Sequence, residues 1–335
     1  MNAFLHPTVV ILLLIIPPVV LGQEVSDIPR DTTYNLRSAT LKISKQYPFA
    51  IPVAMASDRD DQEVTEIVYR TLGDRKLHMD IYKPLASAGE KSPTILCIHG
   101  GGWASGSKAL LAPLAQALAS NGYLAATVEY RLSPEAHYPA GVIDVKSAVR
   151  WMKRNAASYQ VDTSRIALLG TSAGATIATL VGNTPGHPLY HVAEADAEQG
   201  SDCVHAIINI DGILDFSDPA ESGKDTDPDK PSAATRWLGA TFRENPDTWM
   251  EASPLTYAGR QSPPTLFINS AIPRFHAGRD AYTRILDHHG ITNQVHTIPD
   301  SPHSFWLFHP WFDSTVKYTL NFTDNALSMP STCTQ

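Results

Sequence analysis

Cysteine is scarce in this chain: Cys97, Cys203 and Cys333 are the only three in 335 residues. That is too few for a disulfide framework, so an apolar core must hold the fold. Cys97 falls inside an apolar run and is expected as a free buried thiol. Cys203 and Cys333 are then left to pair with each other or not, and their spacing does not decide it. Basic residues are also outnumbered, with 26 Lys and Arg against 34 Asp and Glu and a net charge of -8. This balance argues against nucleic acid as a partner. A long apolar run is missing too. The strongest, Val9 to Val20, is interrupted by Pro17-Pro18 and is short for a bilayer span. Val20-Leu21-Gly22 offers small residues before Gln23, although no Lys or Arg precedes the run. We expect residues 1–22 to be a cleaved signal peptide. The mature protein would then be secreted or periplasmic, with no stable membrane association after cleavage.

What is present describes a globular protein with a large core, 43% hydrophobic and 18% charged. Residues 23–60 are polar, lack periodicity and read as an extended N-terminal arm ahead of one domain over 61–330. Leu77, Met79 and Ile81 alternate with polar residues, as in a half-buried strand. Gly73-Asp74 marks a hairpin turn between that strand and Ile67-Val68-Tyr69-Arg70-Thr71. Further on, short apolar runs alternate with helical patterns: Thr94 to Ile98, Leu124 to Val128, Arg165 to Leu169, Val204 to Ile210, Pro264 to Asn269 and Gln294 to Ile298. Between the first two, Leu111, Leu114, Ala115 and Leu118 fall on one helical face, and Val142, Val145, Val149 and Met152 do so after the second. Such alternation predicts a mostly parallel sheet with helices on both faces.

Two glycine-bearing stretches carry chemistry. Gly170-Thr171-Ser172-Ala173-Gly174 follows a buried-strand run and precedes the small apolar run Ala175 to Val181. A strand, this turn and a helix place a serine hydroxyl at the tip of a tight elbow, with glycines where side chains would collide. His99-Gly100-Gly101-Gly102-Trp103 follows the run Thr94 to Ile98. Its glycines let backbone N–H groups face a substrate oxygen and stabilise an oxyanion. In this order the two motifs resemble those of the α/β-hydrolase superfamily, specifically the branch of esterases and lipases with the His-Gly-Gly-Gly loop. The resemblance runs from about Val64 to about Leu327 and includes Tyr130-Arg131-Leu132-Ser133-Pro134-Glu135.

That resemblance implies an α/β-hydrolase fold and a serine esterase. Ser172 would be the nucleophile and His303, in the loop after the last strand, the base. Gly101, Gly102 and Ala173 would form the oxyanion hole. No metal or organic cofactor would be required. The segment from about Phe216 to Tyr257 would form a lid or substrate wall. Within it, Asp225-Thr226-Asp227-Pro228-Asp229 looks like a calcium loop, but Lys230 and Arg236 occupy positions that need Gly and Glu, so we expect a solvated acidic loop. The third triad member departs from the pattern, because Pro273 occupies the place where this branch carries its acid. Asp211, at the end of the preceding strand, is the first candidate to replace it and Asp280 the second, with Asp215 and Asp300 behind them. The His99-to-Trp103 loop and the segment Pro273 to Arg279 look like those of secreted esterases of plant polysaccharide breakdown. The expected substrate is therefore an acetylated xylan or pectin, with feruloyl esters, short-chain lipids or an aryl formamide as alternatives. A binding protein that kept the fold without turnover stands outside that class. Trp103, Trp306 and Trp311 would either stack on sugar rings or fill the core. No motif in the chain sets an oligomeric state.

Overall fold

The computed structural model describes residues 31–56, 64–84, 91–191, 200–225, 229–329 and 333. The expected signal peptide, residues 1–22, and the first part of the arm lie outside the described residues. Eight strands form one sheet: β1 (Val64–Leu72), β2 (Arg75–Tyr82), β3 (Ser92–Ile98), β4 (Leu124–Val128), β5 (Val161–Thr171), β6 (Ala206–Ile210), β7 (Thr265–Ser270) and β8 (Asn293–Ile298). Their order across the sheet is β1-β2-β4-β3-β5-β6-β7-β8. The β1–β2 and β2–β4 pairs are antiparallel, and all later pairs are parallel. Crossovers between parallel strands need intervening helices. Four of the five crossovers use α2 (Ala112–Ala119), α3 (Ala140–Arg154), α4 (Ala173–Asn183) and α5 (Arg279–His288), and the β6–β7 crossover carries the short helices Pro219–Ser222, Ala233–Leu238 and Pro246–Glu251. The central strands are covered on both faces, so β4, β6 and β7 are buried at every position.

The two cores on either side of the sheet explain the alternation in the sequence. Leu96, Ile98, Leu168, Val145 and Val149 belong to one; Ile95, Cys97, Leu169, Leu114 and Leu118 belong to the other. Cys97 is free, and burial pushes its thiol pKa up to about 12, so it stays an inert core thiol. Cys203 and Cys333 form a disulfide across a Cα–Cα distance of 5.9 Å. The final helix, α6 (Trp311–Ala326), packs on the second core through Phe312, Phe322 and Ala326. No helix among the described residues is long and apolar enough to cross a membrane.

The arm is not merely extended. It contains α1 (Leu36–Ile43), started by a capping box in which Asn35 and Ser38 satisfy each other's backbone amides. Ala39 and Ile43 bury one face of this helix. Ahead of α1, the Tyr34 amide donates to Ser105 Oγ at 2.8 Å, and Ser105 Oγ donates to Asp31 Oδ1 at 3.1 Å. Beyond α1, Ile51–Pro52 pairs antiparallel with Phe308–His309. The arm is thus fastened to the loop after β3 and to the chain after β8. Eight residues, half of them polar, are too short a window for helical periodicity to show, which is why the sequence reads there as coil.

Candidate active site

The elbow is built by close backbone approach. β5 ends at Thr171 and α4 begins at Ala173, leaving Ser172 between them at φ 52°, ψ −122°. A Cβ on Gly170 would lie 2.2 Å from the Gly174 carbonyl oxygen, and one on Gly174 would lie 2.2 Å from that of Ile98. Neither neighbour can yield, because both are backbone. Strain of this kind persists only where surrounding structure enforces it. It recurs nearby: Asp211 and Trp103 also have positive φ, at 53° and 57°.

Ser172, His303 and Asp211 are brought together. Ser172 Oγ donates to His303 Nε2 at 2.8 Å, and His303 Nδ1 lies 2.9 Å from Asp211 Oδ2. A carboxylate only accepts, so the imidazole proton sits on Nδ1 and Nε2 is left to accept from the serine. Asp211 is fully buried. It also accepts from the Ser270 amide at 2.8 Å, from Ser270 Oγ at 2.6 Å and from Asn269 Nδ2 at 3.3 Å. The end of β7, three residues before Pro273, therefore holds an acid from another strand in position. Arg279 fixes the Asn269 amide through its oxygen at 3.2 Å. Asp280 stands apart: it pairs with Arg279 at 2.8 Å and its side chain is 69% exposed. Asp215 binds the Ser217 amide and hydroxyl, and Asp300 is exposed.

The Phe275 ring lies parallel to the His303 ring with centroids 3.6 Å apart, and Trp306 meets it edge-on at 5.2 Å. These rings fix the imidazole plane and shield it from part of the solvent, leaving the side chain 30% exposed toward the cleft. Burial holds the His303 pKa below its ordinary value; the hydrogen bond and charge of Asp211 oppose this, and the positive charges of Arg274 and Lys42 add to it. A base must be neutral to accept a proton. With its pKa lowered, His303 stays neutral to a lower pH than a free imidazole. The acid limb of a kcat/KM profile should therefore fall with a midpoint below 6.5. A limb centred above 6.5 would contradict this environment.

Gly101 and Gly102 have φ of 129° and 59°, which only glycine adopts without strain at the first and readily at the second. Their N–H groups, and that of Ala173, have no acceptor among the described residues. All three residues line the same cleft as Ser172, which has a volume of about 640 Å³. Beneath the loop, His99 is buried, stacks on Tyr130 at 4.6 Å and bonds the Gly100 carbonyl at 2.8 Å. The Tyr130 hydroxyl donates to the His99 carbonyl at 2.9 Å, so the Tyr130-Arg131-Leu132 stretch braces the glycine loop.

The cleft wall comes from three places. Ala233 and Ile213 line it from the segment after β6, Ile272, Arg274 and Phe275 from the chain after β7, and Tyr34, Lys42, Gln46 and Tyr47 from the arm. The arm's part was not visible in the sequence. Tyr34 is bound to Ser304, beside His303, and burial pushes its hydroxyl pKa up to about 12. Trp103, Trp306 and Trp311 are 3%, 3% and 7% exposed and belong to the core, and of the three Trp103 also lines the cleft. Trp103 stacks on Trp237 at 4.6 Å beneath the wall. Asp225 bonds the Ser232 amide at 2.6 Å and the Thr235 hydroxyl at the start of the helix Ala233–Leu238. Residues 226–228 of the acidic loop lie outside the described residues.

A doubly wound sheet with its serine elbow after β5 and its histidine after the last strand defines an α/β-hydrolase of the esterase and lipase kind. Within that superfamily, a family model described as BD-FAE matches residues 79–272, more than half of the chain, and the protein belongs to that family. It is 28% identical over 195 residues to the esterase LipC of Mycobacterium tuberculosis, covering 58% of this chain and 47% of that protein. The chain spans about half the length of the curated relatives it matches first. Among solved structures, the propionate-bound esterase Est2 of Thermogutta terrifontis superposes with a TM-score of 0.65 at 23% identity, over 79% of this chain and 94% of that one. A truncated carbohydrate esterase from gut microbiota superposes with a TM-score of 0.64 at 22% identity, over 81% of this chain and 100% of that one. At these identities the two structures speak for the fold.

Proposed function

We propose that this protein is a secreted serine hydrolase of carboxylic esters that removes acetyl groups from plant cell-wall polysaccharide or oligosaccharide, xylan or pectin. The observation that carries the reading is the continuous chain of hydrogen bonds from Ser172 through His303 to Asp211, opening on a cleft. Ser172 Oγ attacks the acyl carbon while its proton passes to His303 Nε2. The carbonyl oxygen becomes an oxyanion held by the amides of Gly101, Gly102 and Ala173. His303 then gives the proton to the departing alcohol, leaving an acyl-enzyme. Water, deprotonated by the same imidazole, releases the acid and restores Ser172.

Similarity to named esterases supports the ester class, and a carbohydrate esterase among the structural neighbours is consistent with a sugar ester. A non-catalytic binding protein is suggested by Pro273 standing in place of an acid. Asp211 at 2.9 Å from the imidazole removes that ground. Hydrolysis of p-nitrophenyl acetate tests the ester class; purified protein that leaves it intact, along with every polymer below, would overturn the reading. Acetylated xylan, acetylated pectin and feruloylated arabinoxylan then separate the substrates. Acetate release should exceed ferulate release, and the reverse would make this a feruloyl esterase.

The same proposal places the protein outside the cytoplasm, with a mature chain that starts at Gln23 or close to it. The Cys203–Cys333 disulfide suits an oxidising compartment. Mass analysis of the exported protein should show residues 1–22 removed; their retention would favour an anchor.

A further inference from the structure

The chain is acidic overall, with a net charge of -8, yet the side-chain charges that line its cleft are mostly positive. Lys42, Arg274, Asp211 and His303 are the ionisable groups other than tyrosine on the cleft wall. Asp211 is fully buried and committed to His303, Ser270 and Asn269, so it offers nothing to a substrate. Arg274 binds Glu221 through Nε and through Nη2, the latter at 3.0 Å, and Lys224 binds the same carboxylate at 3.0 Å. One buried carboxylate thus serves two cations, and Asp225 adds a second negative charge beside Lys224, so Lys42 is the cleft cation without a countercharge at hand among the described residues. The third guanidinium nitrogen of Arg274, Nη1, has no hydrogen-bond partner among the described residues. Lys42 is exposed and has no ion pair among them. It is presented by α1, which Ala39 and Ile43 hold in place from the buried side.

We propose that the cleft selects esters that also carry a carboxylate, with Lys42 as the group that receives it and Arg274 reinforcing it. The inference rests on the ester-hydrolase reading of the same cleft and narrows it. An O-acetylated uronic acid residue is an ester of this class, so uronate-bearing polysaccharide is favoured over neutral xylan. An ammonium and a guanidinium make charge-assisted hydrogen bonds with a carboxylate, and a surplus of positive field at the cleft also raises the encounter rate of anions. Both cations add to the lowering of the His303 pKa that burial dominates, so both lie within electrostatic reach of the reaction centre. Lys42 stands in the last turn of α1, where a cation also suits the free carbonyls of the helix end. That role would not distinguish substrates by charge.

The test uses 4-acetoxybenzoate and its neutral isostere 4-acetoxybenzamide on the full mature chain. Two readouts are taken: the ratio of kcat/KM values for the wild-type protein, and the ratio of affinities for Ser172→Ala by titration calorimetry. The anion should be preferred by about tenfold in low salt, and the preference should shrink as salt screens it. Lys42→Gln should erase most of it, Lys42→Glu should invert it and Lys42→Arg should keep it. Equal treatment of the two probes, or a preference indifferent to Lys42→Glu, would overturn the inference. If the wild type hydrolyses neither probe, and leaves p-nitrophenyl acetate and the three polymers intact as well, while Ser172→Ala binds the carboxylate through Lys42, the hydrolase reading fails and the charge selection stands. Circular dichroism of each variant confirms that α1 and the sheet persist.

Discussion

Ser172→Ala should lower ester hydrolysis by about four orders of magnitude or more while the fold remains intact. In barrier terms that is at least about 5.5 kcal/mol. The size follows from the site's construction. Ser172 Oγ is the group 2.8 Å from His303 Nε2, and the elbow presents it beside three unpaired amides. Alanine leaves those amides and the cleft in place, so substrate should still bind. Without the hydroxyl no acyl-enzyme forms, and only the oxyanion hole acts on direct attack by water. The effect should appear in kcat, with KM changed much less. The fold should tolerate the change well, since Ser172 makes no side-chain bond other than that to His303 among the described residues. Retention of even a tenth of the activity by pure variant would rule the mechanism out.

The second large effect belongs to Asp211. Asp211→Asn should reduce turnover by roughly 10³ to 10⁴, because an amide in this place can hold the wrong imidazole tautomer and cannot stabilise the imidazolium. The buried position makes the loss severe. Asp211 accepts from His303, from the Ser270 amide and hydroxyl and from Asn269, so an amide nitrogen placed there would face donors instead of acceptors. Asp280→Asn should leave turnover within about twofold and cost less than about 1 kcal/mol, as expected for an exposed acid in the first turn of a helix. Exchange of the two outcomes would refute the assignment of the acid.

The parts of this fold that were legible in the sequence are those governed by local pattern. Apolar runs such as Leu124 to Val128 become strands because both faces of the sheet are covered. The elbow glycines were readable because Gly170 and Gly174 have no room for a side chain. His303 was readable from its place after β8. The acid was only half legible. Asp211 precedes His303 by 92 positions, and its partners Asn269 and Ser270 lie at the end of another strand. A left-handed backbone at φ 53° turns it toward them, and no local pattern of residues announces that turn at an aspartate. The Cys203–Cys333 pair, 130 residues apart, likewise depends on geometry that spacing does not encode. The arm was illegible for a third reason. Lys42 on α1, and Tyr34 and Tyr47 on either side of it, reach the cleft through tertiary contacts of a helix only eight residues long, too short to announce itself as a pattern.

The most direct test of the central claim, covalent catalysis through Ser172, is to trap that residue. Purified protein incubated with one equivalent of a phosphate triester such as diethyl p-nitrophenyl phosphate should lose esterase activity in step with release of p-nitrophenol. Peptide mass mapping should then locate one diethylphosphoryl group on Ser172. Labelling at another residue, or full activity in protein labelled at Ser172, would contradict the account.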